Sequence, residues 1–450
     1  MKRLLATLAI GAMAATALAG CAQSAADSGH RSIKVAYQKF GTFTQMDAQM
    51  KAVKAQYEAA NPQVTVDLVS IQASENDYYT KLSLMNRSAA TAPDVLYEDT
   101  SLIQSDADAG YLAPLDDYAS KWGDWSQFPD NAKKAGSGSD GKLYGISMGT
   151  DTRALWYNKD LLKRAGVTVP WEPKNWKDIV DAAEKIKAAE PGVIPINIYS
   201  GKGLGEASVM QGLEMLLYGT DNTLFDTEAN KWITGSKGFI DSLGMIKDVY
   251  QGGLAPTPQE ALDPNFGTTL TSDLVPNGKV AIFLDGSWQS GTWLASGALS
   301  WPEWTTALGQ APMPTQNGQK PGTTSMSGGW TLAMGSKSQN KDDAWNFIQL
   351  ALNQKNSKAY AIAASQIPVR DDVSKDPEFI ASNPTAEFFA GLVAVTHFRP
   401  ANSNYSQVSN LIQVAMESVM TGQQSPAEAA KAYDAGLKDA VGADLVMPAK

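Results

Sequence analysis

The chain has 450 residues and a formal net charge of −10 at pH 7, from 37 Lys and Arg against 47 Asp and Glu. This length suits two or more lobes rather than one core, and the acidic balance argues against a nucleic-acid partner. His30 and His397 are the two histidines and Cys21 is the one cysteine, so we predict no metal site, no catalytic residues, no cofactor and no internal disulfide.

The first 21 residues are typical of an export signal. Lys2 and Arg3 precede an apolar run, and Leu-Ala-Gly-Cys ends at Cys21. This resembles a bacterial lipoprotein signal, which implies lipidation of Cys21, a flexible linker over 22–31 and anchoring to the outer face of the bacterial cell membrane. The alternative is a plain secretory signal in which the cysteine stands by chance.

The segments beyond the linker alternate between strand and helix patterns. This alternation predicts the α/β class with mostly parallel sheets flanked by helices. Predicted strands cover 32–37, 64–71, 95–97, 142–148, 154–157, 193–199, 279–284, 307–313 and 328–334. Predicted helices cover 44–60, 77–85, 101–108, 159–165, 177–189, 207–218, 239–251, 341–352, 386–392, 405–421 and 425–441.

Polar side chains follow three strands of the first inferred sheet. These pairs are Gln38 with Lys39, Glu98 with Asp99, and Asp151 with Arg153. Ligands bind at the carboxyl ends of parallel strands, so the convergence predicts a cleft there. Taken alone, Asp151 and Arg153 fit an ordinary loop with a surface ion pair equally well.

Several motifs, taken in their order along the chain, resemble those of the carbohydrate-binding ABC-transporter extracellular solute-binding proteins, the group of the maltose-binding protein. The segments that carry the resemblance are 89–117, 140–166, 175–186, 277–288, 328–348 and 399–433. The family implies a two-lobed periplasmic-binding-protein-like fold with a ligand cleft between the lobes. It places the crossings near Gly149, Leu308 and Ser357, which gives an N-terminal lobe of 32–150 plus 309–357 and a C-terminal lobe of 151–308 plus 358–450.

The resemblance also implies a function and a set of site residues. The function is capture of a carbohydrate, preferably an oligosaccharide, by a monomer that delivers it to the transmembrane subunits of an ABC permease. Asp151 and at least one of Glu98 and Asp99 are expected to accept hydrogen bonds from sugar hydroxyls, with Trp288 as a stacking platform. The other implied ligand contacts are Tyr37, Gln38, Lys39, Arg153, Tyr199, Gly328, Gly329, Trp330, His397, Arg399 and Tyr405.

The chemistry of these residue types agrees with a sugar ligand. Charged planar groups satisfy hydroxyls that both donate and accept, and the apolar faces of a sugar ring pack on indole or phenol rings. His397 fits a structural role as well as a ligand contact. Two alternatives remain, a secreted glycoside hydrolase, which needs two suitably spaced carboxyl groups, and a binding protein for a non-sugar solute.

Overall fold

The computed structural model describes residues 30–449 of the chain. The predicted signal peptide, Cys21 and the linker up to residue 29 therefore lie outside the described residues. Within the described part, no helix has the length and apolar character needed to cross a membrane.

Fifteen strands occur in the described part of the chain, and all nine predicted strands coincide with at least one of them. They are β1 (Arg31–Lys39), β2 (Val64–Gln72), β3 (Val95–Asp99), β4 (Gly145–Thr150), β5 (Arg153–Asn158), β6 (Ile194–Asn197), β7 (Phe225–Asp226), β8 (Lys231–Thr234), β9 (Val280–Gly286), β10 (Leu308–Ala311), β11 (Met313–Pro314), β12 (Thr323–Met326), β13 (Gly329–Met334), β14 (Thr396–His397) and β15 (Val446–Pro448).

The α-helices are more numerous than the sequence pattern predicts, because many short ones occupy connecting segments. They are α1 (Gln45–Ala60), α2 (Glu75–Asn86), α3 (Ile103–Asp108), α4 (Asp116–Ala119), α5 (Asp130–Ala135), α6 (Lys159–Arg164), α7 (Trp176–Ala189), α8 (Glu206–Ser208), α9 (Glu214–Leu217), α10 (Lys237–Gln251), α11 (Pro258–Ala261), α12 (Phe266–Thr269), α13 (Gln289–Trp293), α14 (Trp304–Ala307), α15 (Lys341–Ala351), α16 (Gln354–Ala364), α17 (Asp371–Ser374), α18 (Pro377–Ser382), α19 (Ala386–Gly391), α20 (Tyr405–Met420) and α21 (Pro426–Val441). A π-helical turn, Val209–Leu213, joins α8 to α9.

Local sequence explains where the long helices begin. Ser425 caps α21, and the side chain of Glu428 bonds back to the Ser425 backbone with Pro426 at the first helical position. Asn175 caps α7 in the same way, by accepting a hydrogen bond from the Asp178 backbone. These caps satisfy backbone donors that a helix start otherwise leaves unpaired.

Two central sheets define two lobes. The first-lobe sheet has the order β2-β1-β3-β13-β4, and the second-lobe sheet has the order β10-β5-β9-β6. Each contains one antiparallel strand, β13 in the first and β5 in the second, among strands that run the same way. The predicted α/β class is confirmed, but the sheets are mixed rather than mostly parallel: two of the four neighbouring pairs in the first sheet and two of the three in the second are antiparallel.

Each sheet has apolar residues packed on both faces. In the first lobe, Val35 and Phe347 lie in one cluster, and Leu96 lies in a second on the opposite face. In the second lobe, Ile282 and Phe283 are adjacent in β9 and belong to different clusters. Strands covered on both faces read as continuous apolar runs, which is why KVAIFL was recognisable as a strand.

The chain passes between the sheets at three places, two of which differ from the sequence prediction. The first crossing is the short step from β4 to β5, close to the predicted Gly149. The predicted crossing near Leu308 is displaced, because β10 still pairs with β5 and the chain re-enters the first sheet only at β13. The predicted crossing near Ser357 is also displaced, because Tyr360 and Ala364 belong to the first-lobe core.

Candidate functional site

A cleft between the lobes holds a partly open space, here named the inner chamber. Its cavity volume is about 120 Å³, and its walls include Gln38, Tyr97, Asp151, Gln211, Trp288 and Trp330. Both sheets contribute, because Tyr97 and Trp330 come from β3 and β13 whereas Trp288 follows β9. The carboxyl ends of strands from both lobes therefore meet at one space, as the sequence predicts.

A larger space, the outer chamber, lies beside the inner one. Its cavity volume is about 530 Å³, and its walls include Asn76, Tyr79, Ser105, Glu206, Arg399 and Ser406. A third space of about 70 Å³, the side chamber, is bordered by Tyr199, Asp285 and Trp288.

Aromatic rings cover much of the inner chamber. The Trp330 ring stacks on the Tyr97 ring with centroids 4.3 Å apart and an angle of 7° between the planes. Trp288 borders both the inner and the side chamber. The Arg153 guanidinium lies 4.8 Å from the centroid of the Trp288 ring. Flat rings held by such contacts present apolar area at low entropic cost.

Gly286 allows the Trp288 ring to lie where it does. A β-carbon on Gly286 would lie 1.9 Å from the nearest Trp288 ring atom. An alanine therefore cannot occupy this position unless the indole moves. The absence of a side chain at Gly286 thus leaves room for the Trp288 ring, and that ring forms part of the chamber wall.

We expect Gly286→Ala to displace the Trp288 ring and to weaken ligand binding by about tenfold or more, a loss of about 1.4 kcal/mol. Calorimetric titration of wild type and variant measures the change. Gly244→Ala is the matched control, because nothing lies within 4 Å of a β-carbon there. Equal affinity for wild type and Gly286→Ala would contradict a role for the Trp288 ring position.

Asp151 and Arg153 hold the first crossing together. The Asp151 carboxylate accepts hydrogen bonds from the Arg153 guanidinium and from the Gly328 backbone at 2.9 Å. Arg153 also donates to the Gln211 side chain at 3.2 Å and to the Met326 carbonyl at 3.0 Å. Asp151 and Arg153 are 5% and 6% exposed, so this is a buried ion pair at the first crossing that also borders the inner chamber.

A second buried ion network, here named the interlobe bridge, connects Asp99, Arg399 and Glu206. Arg399 donates to Asp99 at 2.6 Å and to Glu206 at 3.3 Å. Asp99 ends β3 of the first lobe, and Glu206 begins α8 of the second. Burial raises the pKa of Asp99, but the Arg399 guanidinium together with hydrogen bonds from Ser101 and Tyr79 outweighs burial and holds that pKa below its usual value. The bridge therefore joins the lobes directly.

Hydroxyl groups complete the bridge. Tyr79 donates to Asp99 at 2.7 Å, and Tyr405 donates to Glu206 at 2.6 Å. Ser409 donates to the other Glu206 oxygen at 2.5 Å. These donors satisfy carboxylate oxygens that are taken out of water.

Two further carboxyl groups near the bridge hold protons more tightly than usual. Burial and the negative charge of Asp99 raise the pKa of Glu75 to about 7. Burial and the negative charge of Glu206 raise the pKa of Glu214 to about 8. The excess of acidic groups in the cleft is thus reduced by protonation near neutral pH.

The raised pKa of Glu214 predicts a pH-dependent stability. From its ordinary value of 4.5 up to about 8, the folded state keeps a proton that the unfolded state has lost. The free energy of unfolding therefore falls as pH rises through this range and levels off above it. Urea unfolding between pH 5 and pH 9 is expected to show a smaller fall for Glu214→Gln, which stays neutral. The same pH profile for both proteins would contradict this assignment.

Four predicted site residues lie away from the chambers. Tyr37 is part of the first-lobe core and donates to Asp47 at 2.7 Å, and Lys39 lies 3.7 Å from the same carboxylate. Glu98 is 0% exposed, and burial together with nearby Asp106 raises its pKa. His397 stacks on Tyr218 with ring centroids 4.4 Å apart, and burial lowers its pKa.

Strand geometry explains these corrections. Successive side chains of a strand point to opposite faces. Asp99 reaches the interlobe bridge, so its neighbour Glu98 points away from it and into the lobe. For the same reason Gln38 borders the inner chamber while Tyr37 and Lys39 turn to the Asp47 side. Only one residue of each adjacent pair, Gln38 with Lys39 and Glu98 with Asp99, can therefore face the cleft.

The other predicted residues lie at or beside the cleft. Gln38, Asp151, Arg153, Trp288 and Trp330 border the inner chamber, and Arg399 and Tyr405 border the outer one. Tyr199 borders the side chamber and donates to Asp285 at 2.8 Å. Gly328 supplies its N–H to Asp151, and the Gly329 carbonyl accepts from Thr100 at 3.1 Å, so the two glycines support the hinge rather than line a chamber.

Several cleft residues were missed by sequence reasoning. They are Phe40, Phe43, Glu75, Tyr79, Tyr97, Glu206, Gln211 and Asp285. Tyr97 was predictable, because strand alternation puts it on the same face as Asp99. Glu206 and Gln211 had no such signal, because only the packing of the second lobe brings their helical segment to the cleft. Within residues 30–449, no group of three or more His, Cys, Asp or Glu side chains could hold a metal ion.

Comparisons with known proteins agree with the two-lobed geometry. A family model described as bacterial extracellular solute-binding protein matches residues 41–358. A probable ABC transporter-binding protein of Deinococcus radiodurans is 27% identical over 306 residues, which cover 66% of this chain and 69% of that protein. The maltodextrin-binding protein MdxE of Bacillus subtilis is 24% identical over 339 residues, which cover 72% of this chain and 71% of that protein.

Solved structures share the fold. A structure of maltose-bound MalE3 of T. maritima superposes with a TM-score of 0.77 at 22% identity, and the match covers 91% of this chain and 99% of that one. At this identity, the likeness concerns the fold.

Proposed function

The chain belongs to the bacterial extracellular solute-binding proteins, and from this premise we propose that it captures a carbohydrate in the interlobe cleft and delivers it to an ABC importer. The observation that carries the proposal is the inner chamber, where the indoles of Trp288 and Trp330 stand beside the charged Asp151 and Arg153. Its supporting comparison is the relationship to a maltodextrin-binding protein.

The chemistry of the inner chamber matches a sugar ring. The apolar faces of a pyranose pack on indole rings, and each buried square ångström contributes roughly 25 cal/mol. The hydroxyls at the rim of the ring both donate and accept, which suits Gln38, Asp151 and Gln211. A solute without hydrogen-bonding groups would gain only the apolar contacts of the chamber.

The division of the site between two lobes supports closure on the ligand. Full contacts form only when the lobes meet, so ligand binding biases the open and closed populations. The lobes pivot about the first crossing at Asp151 and the re-entry at Gly328, which are hydrogen-bonded to each other.

The proposal includes the cellular setting. The protein acts as a monomer at the outer face of the bacterial cell membrane, held there by lipid on Cys21, and hands its ligand to the transmembrane permease subunits. It binds without chemical conversion. The relatives reported above carry the names of binding proteins, and the lipoprotein-like signal in the sequence accounts for the anchor.

A thermal-shift panel tests the proposal. Mono-, di- and oligosaccharides of glucose, galactose and N-acetylglucosamine are expected to include at least one that raises Tm, because a ligand that binds only the folded state stabilises it. An amino acid and a dipeptide serve as non-sugar controls. Chromatography after prolonged incubation should recover the sugar unchanged. A stabilising non-sugar alone, or cleavage of a bound sugar, would overturn the proposal.

A further inference from the structure

The interlobe bridge separates the inner chamber from the outer chamber. Glu75 and Tyr79 lie one helical turn apart on α2, yet Glu75 borders the inner chamber and Tyr79 the outer. Glu206 and Ala207 are consecutive, yet Glu206 borders the outer chamber and Ala207 the inner. Glu206 and Arg399 themselves border the outer chamber, so the interlobe bridge lies on the outer side of this boundary, next to Glu75 and Ala207 of the inner wall.

The bridge is a substantial barrier. Asp99, Glu206 and Arg399 are 3%, 3% and 9% exposed. The guanidinium is held from both lobes, and Tyr79, Tyr405 and Ser409 hold the two carboxylates. A ligand that runs directly from one chamber into the other would have to part charges that are already paired and largely out of water, which is costly.

The outer chamber has the chemistry to bind sugar units if it were open to the inner one. It is rich in hydroxyls, from Ser105, Ser403 and Ser406, and its tyrosine rings come from Tyr79 and Tyr111. Hydroxyls and phenol rings can satisfy and pack against further rings of a chain. The barrier, rather than the lining, thus limits how far a ligand extends.

We propose that Arg399 sets how many saccharide units the site recognises, by ending the inner chamber so that it contacts one or two units and further units add no affinity. This rests on the proposed carbohydrate function and narrows it, because the sequence alone favours an oligosaccharide. Removal of the guanidinium joins the two chambers and extends the site along the cleft.

The test compares two opened variants with wild type. Arg399→Ser removes the barrier but leaves two facing carboxylates, so the triple variant Asp99→Asn, Glu206→Gln, Arg399→Ser removes the charges as well. The probes are series of one to four units of β-1,4-linked N-acetylglucosamine, α-1,4-linked glucose and β-1,4-linked galactose. Calorimetric titration gives each affinity, and Tm establishes that each variant folds.

We expect wild type to bind the tri- and tetrasaccharides with affinities within about threefold of its affinity for the disaccharide. The opened variants are expected to gain about tenfold or more from the disaccharide to the tetrasaccharide. Ser406→Trp, added to the triple variant to fill the outer chamber, should remove that gain. Arg164→Ala, which breaks a surface pair with Glu190, is the matched arginine control and should keep the wild-type length preference.

The possible results separate a failure of this proposal from a failure of the proposed carbohydrate function. Sugars that bind wild type more tightly with each added unit would overturn the role of Arg399 and leave the function standing. A folded triple variant with the wild-type length preference would do the same. Failure of every sugar to bind any of the proteins would remove both proposals.

Discussion

Replacement of Asp151 by alanine is expected to lower the free energy of unfolding by about 3–5 kcal/mol, the cost of leaving one partner of a buried ion pair uncompensated. Arg153 is 6% exposed and would lose its carboxylate, and the Gly328 N–H would lose its acceptor. The two contacts tie the first crossing to the re-entry into the first sheet. Their loss should therefore loosen the hinge as well as the local packing.

Urea unfolding followed by circular dichroism measures this effect through the shift of the midpoint. Asp181→Ala is the matched control, because its ion pair with Lys177 is on the surface and contributes about 0–1 kcal/mol. Asp151→Asn should cost less than alanine, because the amide keeps one acceptor. A midpoint for Asp151→Ala that equals the Asp181→Ala midpoint would show that the hinge does not depend on this pair.

Replacement of Trp288 by alanine is expected to weaken carbohydrate binding by about 2 kcal/mol or more, which is roughly thirtyfold. The ring borders the inner and side chambers and carries the Arg153 guanidinium on one face. Truncation removes a large apolar surface from the ligand and frees Arg153 to move. The ring is only partly buried, so Tm without ligand should fall little.

Calorimetric titration with the sugar that gives the largest thermal shift measures the loss. Trp125→Ala is the matched control, because that ring is also partly buried but packs against Phe128 on the first lobe, outside the chambers. Its affinity should equal that of wild type. If Trp288→Ala binds as tightly as Trp125→Ala, the ring belongs to the protein's own packing rather than to the ligand site.

The sequence identified the fold because its signals were local and periodic. The segment KVAIFL predicts a strand and Ser-Pro-Ala-Glu predicts a helix start, and neither prediction depends on tertiary contacts. The crossings were less accessible, because whether Leu308–Ala311 pairs with the first or the second sheet is decided by tertiary hydrogen bonds. The sequence pattern of that segment does not indicate which sheet the strand joins.

The site was predicted in part for a similar reason. Trp288 and Arg153 stood out by residue type beside predicted strands, Arg399 was implied by the family resemblance, and the structure brings all three to the cleft. The face to which each side chain turns was harder to predict: Glu98 and Asp99 are adjacent, yet only Asp99 meets Arg399. The role of Glu206 depends on two lobes meeting, and no segment of the sequence contains that information.

The central claim is that the interlobe cleft binds a carbohydrate between Trp288 and Trp330, and one calorimetric titration tests it most directly. The sugar with the largest thermal shift is titrated into wild type and into the double variant Trp288→Ala, Trp330→Ala, both verified as folded by circular dichroism. We expect saturable binding at one site per wild-type chain and no measurable heat of binding for the double variant. Wild-type affinity in the double variant, or no binding of any sugar to wild type, would contradict the claim.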